Sequence, residues 1–272
     1  MASNRYLFLP NYLMNRHPDW KMPVGISQQL WTYVQSPSVA ADYDQDLGES
    51  PLFQNDLGLA RQFLGNQGTI LDLGCGTGRL VTAFQQTAAN VVGIDLSWEM
   101  LCRAARKTQA MSSANATFIR ANIVQLDFLR DGAFDHAVCL FSTLGMMPRK
   151  VDRESIVQNV FRVLKPGGRF LLHVHNYYHH LGTKIGRRWI FRDLLRRLAG
   201  NADAGNYEAP TVSESAVTLH HFTLREARGL LRRTGFKVQL IVPISLRPDC
   251  KLRWSWFLPG LRAYGFLIGA VK

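Results

Sequence analysis

Residues 69–80 read Thr-Ile-Leu-Asp-Leu-Gly-Cys-Gly-Thr-Gly-Arg-Leu, which predicts a buried strand, a glycine-rich turn and the start of a helix. The apolar run at 69–73 is typical of a strand inside a parallel sheet. Gly74, Gly76 and Gly78 would let the backbone turn sharply and let a ligand approach closely. The spacing is not the G-x-G-x-x-G fingerprint of dinucleotide-binding proteins, because Arg79 stands where that fingerprint has its third glycine.

Strand-like and helix-like segments alternate from residue 68 onward, which favours βαβ units and an open parallel sheet. Helices are expected over about 78–87, 97–108, 151–165 and 223–234. Strands are expected over 69–73, 90–94, 116–120, 134–141, 169–174, 236–242 and 262–271. Sheets of this kind bind ligands beyond the carboxyl ends of their strands. The site is therefore expected at the end of the first strand.

Two polar residues stand at the ends of the next two predicted strands. Asp95 lies about twenty residues beyond the glycine turn, where an acid can accept both hydroxyls of a ribose. Its alternative role is to cap the following helix, although Ser97 could do that instead. Asn122 follows the third strand, where an asparagine can stabilise a turn.

These motifs, in this order, resemble the class I S-adenosylmethionine-dependent methyltransferases. The match includes the glycine turn, Asp95, Asn122 and the Lys165-Pro166-Gly167-Gly168 turn before the fifth strand. The family commonly has an Asp that accepts from the adenine amino group where this chain has Asn122, so the resemblance implies that the Asn122 amide oxygen accepts that hydrogen bond, with the turn role as the alternative. The resemblance implies an α/β, doubly wound, mostly parallel seven-stranded sheet whose last strand is antiparallel, with S-adenosylmethionine as cofactor. It also implies a set of cofactor-binding residues: Tyr43, Asp72, Gly74, Cys75, Gly76, Gly78, Asp95, Leu96, Asn122, Ile123 and Phe141.

The domain organisation is read as a helical prefix over 1–65 and a methyltransferase domain over 66–272. The segment Ala40-Ala41-Asp42-Tyr43-Asp44 resembles a lid helix that covers the cofactor in small-molecule members of the family. A packed structural role is the alternative for Tyr43. Residues 182–220 are expected to form a basic insertion after the fifth strand, and the prefix and insertion together are expected to cover the acceptor site.

Histidines provide the candidates for acid–base chemistry. His173 and His175 alternate on one face of the fifth strand, and His179 and His180 follow it. A base is needed only if the acceptor is protonated, as a phenol or alcohol is. His175 and His179 are the candidate catalytic residues, and hydrogen-bonded structural histidines are the alternative. A metal site is less favoured, because no carboxylate or cysteine pattern accompanies these imidazoles.

The net charge of +12 is unevenly distributed, since residues 181–272 contain 16 Lys and Arg against 6 Asp and Glu. Such an excess favours an anionic partner, although a solvated basic surface is the alternative. Residues 184–198 read as a basic amphipathic helix that either contacts a membrane surface or packs as a lid. An aromatic-rich prefix favours a small or lipid-like acceptor. RNA methylation and cofactor binding without catalysis are the rival hypotheses, and the oligomeric state is left open.

The four cysteines have no C-x-x-C spacing, which favours a reducing compartment. The first residues lack the layout of a secretory signal, and the apolar runs are shorter than a membrane span requires. A cytoplasmic location is the resulting expectation.

Overall fold

The structure is a computed structural model that describes residues 22–47, 50–84, 87, 89–110, 115–209 and 217–272. The helices are α1 (Gln28–Gln35), α2 (Pro37–Leu47), α3 (Pro51–Leu64), α4 (Arg79–Phe84), α5 (Trp98–Ala110), α6 (Lys150–Val163), α7 (Lys184–Leu198), α8 (Leu224–Thr234) and α9 (Pro259–Arg262). The strands are β1 (Thr69–Leu73), β2 (Asn90–Asp95), β3 (Ala116–Arg120), β4 (Phe134–Cys139), β5 (Leu164–His175), β6 (Asn206–Ala209), β7 (Val217–His220), β8 (Lys237–Ile244) and β9 (Gly265–Val271).

The main sheet has seven strands in the order β3-β2-β1-β4-β5-β9-β8. The pairs from β3 to β5 are parallel, and β9 runs antiparallel to both β5 and β8. This arrangement confirms the predicted α/β, mostly parallel seven-stranded sheet with one reversed strand. The strand order reverses at β1, because β2 lies on one side of it and β4 on the other. In open α/β sheets, ligands bind beyond the carboxyl ends of the strands at such a point.

The fifth strand begins earlier than predicted. Leu164 already pairs with Phe134, and the register then shifts before His136 pairs with Arg169. The predicted Pro166-Gly167-Gly168 turn is therefore accommodated within β5 rather than between α6 and β5. Gly168 fits there because an added Cβ would lie 2.8 Å from the carbonyl oxygen of Lys165.

The prefix is joined to the sheet by a buried polar pair. Asp56 of α3 and His173 of β5 are 1% and 0% exposed, and Asp56 Oδ2 lies 2.5 Å from His173 Nδ1. Phe63 of the same helix covers Gly269 of β9, where an added Cβ would lie 2.7 Å from its ring. α3 is thus fixed across β5 and β9. The part of the prefix before residue 22 lies outside the described residues.

The predicted insertion contains α7 and the hairpin of β6 and β7. β7 contacts α1 and the short 3₁₀ helix Thr143–Met146, so the insertion adjoins both the prefix and the end of β4. None of the helices among the described residues combines the length and apolarity that crossing a bilayer requires.

We expect Asp56→Ala to lower the free energy of unfolding by about 2–4 kcal/mol, because it leaves His173 buried without its partner. Asp131→Ala is the matched control: it breaks the exposed pair with Arg162, and a loss of about 0–1 kcal/mol is expected. Urea unfolding followed by circular dichroism measures both. Equal losses for the two variants would contradict the proposed link between α3 and β5.

Candidate functional site: a cleft at the carboxyl ends of the strands

A cleft with about 680 Å³ of empty space, partly open to solvent, lies beyond the carboxyl ends of β1, β2, β3 and β4. The sheet supplies its floor, and α1 and α2 supply side chains over it. The lining consists of Ile26, Leu30, Tyr33, Val34, Tyr43, Gly74, Gly76, Asp95, Leu96, Ser97, Met100, Ala121, Asn122, Ile123, Thr143, Met146 and Met147.

The glycine turn forms the floor through backbone conformations that favour glycine. Gly74, Gly76 and Gly78 have φ of +75°, +53° and +77°. An added Cβ on Gly74 would lie 2.4 Å from Thr143 Cγ2, and one on Gly78 would lie 2.9 Å from Ala104 Cβ. Gly74 therefore lets the segment after β4 approach the turn, whereas Gly78 lets α4 pack on α5. Only the first of these two contacts borders the cleft.

Asp95 fastens the end of β2 to the glycine turn. Its Oδ2 accepts a hydrogen bond from the backbone N–H of Gly76 at 2.8 Å, and its Oδ1 accepts one from that of Ser97, also at 2.8 Å. Ser97 caps α5 separately, because its Oγ accepts from Met100 N at 3.4 Å. Each carboxylate oxygen keeps a further lone pair, so Asp95 can accept two hydroxyl hydrogen bonds from a ligand.

Asn122 has the turn-stabilising role considered from the sequence. Its Oδ1 accepts from Val124 N at 3.1 Å, and its Nδ2 donates to the Val24 carbonyl at 2.8 Å. The side chain therefore stabilises the turn after β3 and joins it to the chain before α1. Because the residue also lines the cleft, the second lone pair of Oδ1 can accept a hydrogen bond from a ligand.

A stack of side chains closes the cleft near the turn. The Arg79 guanidinium lies 3.4 Å from the centre of the Phe53 ring and 4.6 Å from that of Tyr43. Phe53 stacks on Phe141 with ring centres 3.9 Å apart. Phe141 and Ser142 are two consecutive non-glycine residues with positive φ, 51° and 60°. Strain of this kind persists where the surroundings fix the backbone, and it often occurs at functional sites.

Other predicted cofactor residues lie behind the lining. Asp72 is 5% exposed and Cys75 is also 5% exposed. An added Cβ on Gly93 would lie 2.8 Å from Cys75 Sγ, so this thiol fills space beside β2. Asp72 lies beneath the turn, and Phe141 contributes through its stack on Phe53. The lining residues that sequence reasoning missed are mainly apolar: Ile26, Leu30, Val34 and Met100.

The histidines form a separate cluster next to this cleft. His175 is buried, its Nε2 lies 3.3 Å from the Tyr264 hydroxyl, and its ring faces those of Phe141, His173 and His221. Burial, reinforced by neighbouring histidines, holds the pKa of His175 well below its usual range. His179 packs edge-on against Tyr264, and burial lowers its pKa as well. Both imidazoles are therefore neutral near pH 7.

Two more histidines extend the cluster into the insertion. His180 Nε2 lies 2.9 Å from His221 Nδ1, and the His180 ring packs against Trp189 and Tyr207. Burial lowers the pKa of His180 to about 4 and that of His221 to about 3. In the part of the chain that the structure describes, no group of three or more His, Cys, Asp or Glu residues is arranged to hold a metal ion.

Comparison with known proteins identifies the family. Residues 70–168 match the family described as "Methyltransferase domain". A ubiquinone biosynthesis O-methyltransferase of Pseudomonas aeruginosa is 33% identical over 184 residues, which are 67% of this chain and 70% of that protein. The chain belongs to the S-adenosylmethionine-dependent class I methyltransferases. The glycine turn and the parallel sheet confirm the family resemblance seen in the sequence.

Other relatives agree with this assignment. A demethylmenaquinone methyltransferase of Lactococcus lactis is 33% identical over 140 residues, covering 48% of this chain and 53% of that protein. The structure of a methyltransferase from Methanosarcina mazei superposes with a TM-score of 0.63 at 26% identity, covering 79% of this chain and 96% of that one. The chain spans 53–58% of the length of several curated relatives that it matches.

The cleft fits the cofactor of this family on two observations. Gly74 and Gly76 line the cleft with backbone that carries no side chain, and Arg79 Nη1 is a buried donor without a hydrogen-bond partner among the described residues. An unpaired guanidinium N–H suits a carboxylate, such as that of the cofactor's amino-acid portion. The apolar side chains of Leu96, Met100 and Ile123 suit a flat purine.

Asp72 gives a testable effect of pH on stability. Burial, together with the nearby charge of Asp95, raises the pKa of Asp72 to about 7. The native state then binds more protons than the unfolded chain between the usual aspartate pKa and this value, so stability falls as pH rises through that window. We expect Asp72→Asn to raise Tm at pH 8 and to leave Tm nearly unchanged at pH 4.

Asp135→Asn is the matched control of opposite sign. Hydrogen bonds from Lys165 Nζ and Thr69 N lower the pKa of Asp135, so its charged form stabilises the fold above the usual aspartate pKa. The control variant should lower Tm at pH 8. Differential scanning fluorimetry of the purified chain measures both, and a lower Tm for Asp72→Asn at pH 8 would refute the interpretation of Asp72.

Proposed function

We propose that this chain transfers a methyl group from S-adenosylmethionine to a small-molecule or lipid-like acceptor. The observation that carries the proposal is Asp95, whose carboxylate is fixed by Gly76 N and Ser97 N at the edge of a cleft floored by glycines. A carboxylate at the end of β2 is positioned to accept the hydroxyls of a ribose. Membership of the methyltransferase family supports the same conclusion.

The proposal gives each group of lining residues a role in binding the cofactor. Asp95 accepts from the ribose hydroxyls, and Asn122 Oδ1 accepts from the adenine amino group. Arg79 and Tyr43 hold the amino-acid portion, since both lie at the stack beside the glycine turn. Asp72 lies beneath that turn, where a nearby cationic ligand would favour its charged form over the neutral form that burial favours.

The bound cofactor supplies an electrophilic methyl group, and the chain supplies orientation and exclusion of water. Alignment of the two reacting groups accounts for much of the rate in such bimolecular transfers. Thr143, Met146 and Met147 line the cleft after β4, where the family places the methyl donor, and Leu30 and Tyr33 of α1 cover it. These side chains are suited to excluding water from the reacting atoms.

The acceptor side of the proposal involves His175 and His179. His175 is the last residue of β5, and His179 follows that strand. Because β4 and β5 are adjacent and parallel, the end of β5 lies next to the segment after β4. The backbone N–H of His175 also donates to Ser142 Oγ at 3.3 Å, which joins the two strand ends directly. In this proposal a neutral imidazole here takes the proton of a hydroxyl acceptor. One relative is named as an O-methyltransferase, which favours an oxygen as the attacked atom.

Cofactor binding tests the role of Asp95. We expect Asp95→Ala to weaken binding of S-adenosylhomocysteine by about 1–3 kcal/mol, because two ligand hydrogen bonds are lost. Asp95→Asn retains one oxygen acceptor and should lose less. Asp127→Ala, an exposed aspartate outside the cleft, is the control and should bind normally. Calorimetric titration measures the affinities, and unchanged binding by Asp95→Ala would remove this residue from the site.

The base hypothesis is tested with methyl-labelled cofactor and the lipid and small-metabolite fractions of a cell extract. If His175 or His179 removes a proton, His→Gln at that position should lower the transfer rate by about 10²–10⁴-fold while cofactor affinity is retained. Because burial lowers both pKa values, wild-type activity should persist below the usual histidine pKa. Full activity in both variants would leave these histidines with a structural role.

RNA methylation and cofactor binding without turnover are the competing functions. The exposed cations of the last third support the first, and neither the fold nor the cleft excludes the second. The same labelling experiment separates them: label in the RNA fraction favours RNA methylation, whereas cofactor binding with no label in any fraction favours a regulator. Label in the lipid or metabolite fraction supports the proposal.

A further inference from the structure

Large apolar side chains are exposed in two segments of the basic last third. Trp256, Leu198 and Ile185 are 81%, 78% and 75% exposed. Around them lie further exposed side chains, which in α7 are Phe191, Leu194 and Leu195, and in the connection between β8 and β9 are Leu246, Trp254, Phe257, Leu258 and Leu261. Clustered exposure of this kind marks an interaction site in a folded protein. We call residues 184–198 and 246–262 together the Trp–Leu surface.

α7 turns its leucines outward because other contacts fix its inner face. Gly186 packs so closely that an added Cβ would lie 2.0 Å from the His180 carbonyl oxygen. Asp193 is fully buried, with Oδ1 accepting from Gly205 N at 2.7 Å and Oδ2 accepting from Arg197 Nε at 2.9 Å. Trp189 packs on Tyr177 and His180. The expected apolar face is thus divided: Trp189 and Ile190 turn inward, and the leucines remain in solvent.

The connection between β8 and β9 is held in a defined conformation. The Arg262 guanidinium donates to the carbonyl oxygens of Arg253, Trp254 and Phe257 at 2.9–3.1 Å. Trp254 and Leu258 have φ of +49° and +43°, which is strained for bulky residues. Strained backbone persists only where the surrounding structure fixes it. The apolar side chains are therefore presented outward by a braced loop.

The two segments lie on either side of one 3₁₀ helix, at the edge of the sheet that bears the cleft. The 3₁₀ helix Tyr177–Gly182 contacts both α7 and α9, and Asn176 Nδ2 donates to the carbonyl oxygens of Gly260 and Ala263. His175 and Ile244 both pair with Gly265, so the carboxyl ends of β5 and β8 are at the same edge. The Trp–Leu surface and the cofactor cleft therefore belong to one edge of the sheet.

The charges of this surface are almost all positive. Lys184, Arg187, Arg188, Phe191 and Arg192 line a shallow groove along α7. Arg196, Arg247, Lys251 and Arg253 add further cations. Within the two segments the acids are Asp193, which is buried, and Asp249, which lies 3.6 Å from Arg247. Exposed Trp and Leu interleaved with Arg and Lys match the boundary between acyl chains and anionic headgroups.

We propose that the Trp–Leu surface docks on an anionic phospholipid bilayer, with its tryptophans and leucines in the headgroup–acyl boundary and its arginines on the headgroups. Arg and Lys stems can lie along the apolar boundary while their charged ends reach phosphate. Docking would turn the edge that bears the cleft towards the membrane, where a lipid-like acceptor resides. The consequence for the acceptor rests on the proposed function, whereas the docking itself requires no methyl transfer.

Vesicle co-sedimentation without cofactor tests the docking. The wild-type chain should bind phosphatidylcholine vesicles containing a minority of phosphatidylglycerol about tenfold or more tightly than pure phosphatidylcholine vesicles, and added salt should weaken binding. Leu195→Ser with Trp256→Ser should abolish most binding. Val151→Ser is the control, because Val151 of α6 is 62% exposed and lies outside the surface. Retained folding and cofactor binding in each variant are checked by circular dichroism and calorimetry.

Tryptophan fluorescence gives an independent measure of how deeply the Trp–Leu surface enters the bilayer. Brominated acyl chains should quench the emission of the wild-type chain, and most of that quenching should disappear in Trp254→Phe with Trp256→Phe, which still binds vesicles. Sedimentation unaffected by the Leu195 and Trp256 substitutions, or equal binding to neutral vesicles, would overturn the proposal. The proposal would also be overturned if the wild-type chain bound no vesicles but formed a concentration-dependent dimer that Leu195→Ser with Trp256→Ser disrupts. Binding only to RNA would overturn it as well. Failure of methyl transfer with intact vesicle binding would affect the proposed function alone.

Discussion

The hydrogen bond from Gly76 N to Asp95 Oδ2 is the interaction on which the candidate site depends. It joins the turn after β1 to the end of β2, and the backbone N–H groups of Gly74 and Cys75 reinforce the link by donating to the Ile94 carbonyl. Because this turn is fixed, Thr143 can approach Gly74 and the segment after β4 completes the floor. Burial raises the pKa of Asp95, and its backbone hydrogen bonds oppose that shift. These bonds stabilise the charged form that a ribose would contact.

The neutral histidine cluster contrasts with this charged edge of the cleft. His175, His180 and His221 lie among aromatic rings, and burial lowers the pKa of each. The Phe141 ring packs on Phe53 towards the glycine turn and faces His175 towards the cluster. Phe141, whose φ is positive, thus lies between the proposed cofactor site and the proposed acceptor site. The two portions differ in charge, as binding a cationic donor and a neutral acceptor would require.

Features that depend on local backbone conformation were predictable from the sequence. The glycine turn, the alternation of strands and helices, and the placement of Asp95 depend on short-range backbone conformation and on the parallel sheet. The apolar lining that α1 contributes was not predictable, because Leu30 and Val34 resemble ordinary core residues until α1 is placed over the sheet. Periodicity also failed to identify the packed face of α7. That face is determined by Gly186 and Asp193, whose partners His180 and Gly205 lie outside the helix.

The account is tested most directly by calorimetric titration of S-adenosylhomocysteine into the wild-type chain, Gly74→Ala and Gly132→Ala. Both glycines have positive φ, but an added Cβ would meet Thr143 only at Gly74, and at Gly132 it has open space. We expect one binding site in the wild-type chain and in Gly132→Ala, and none in a folded Gly74→Ala. No binding to the wild-type chain, or equal binding to all three, would contradict the assignment of this cleft.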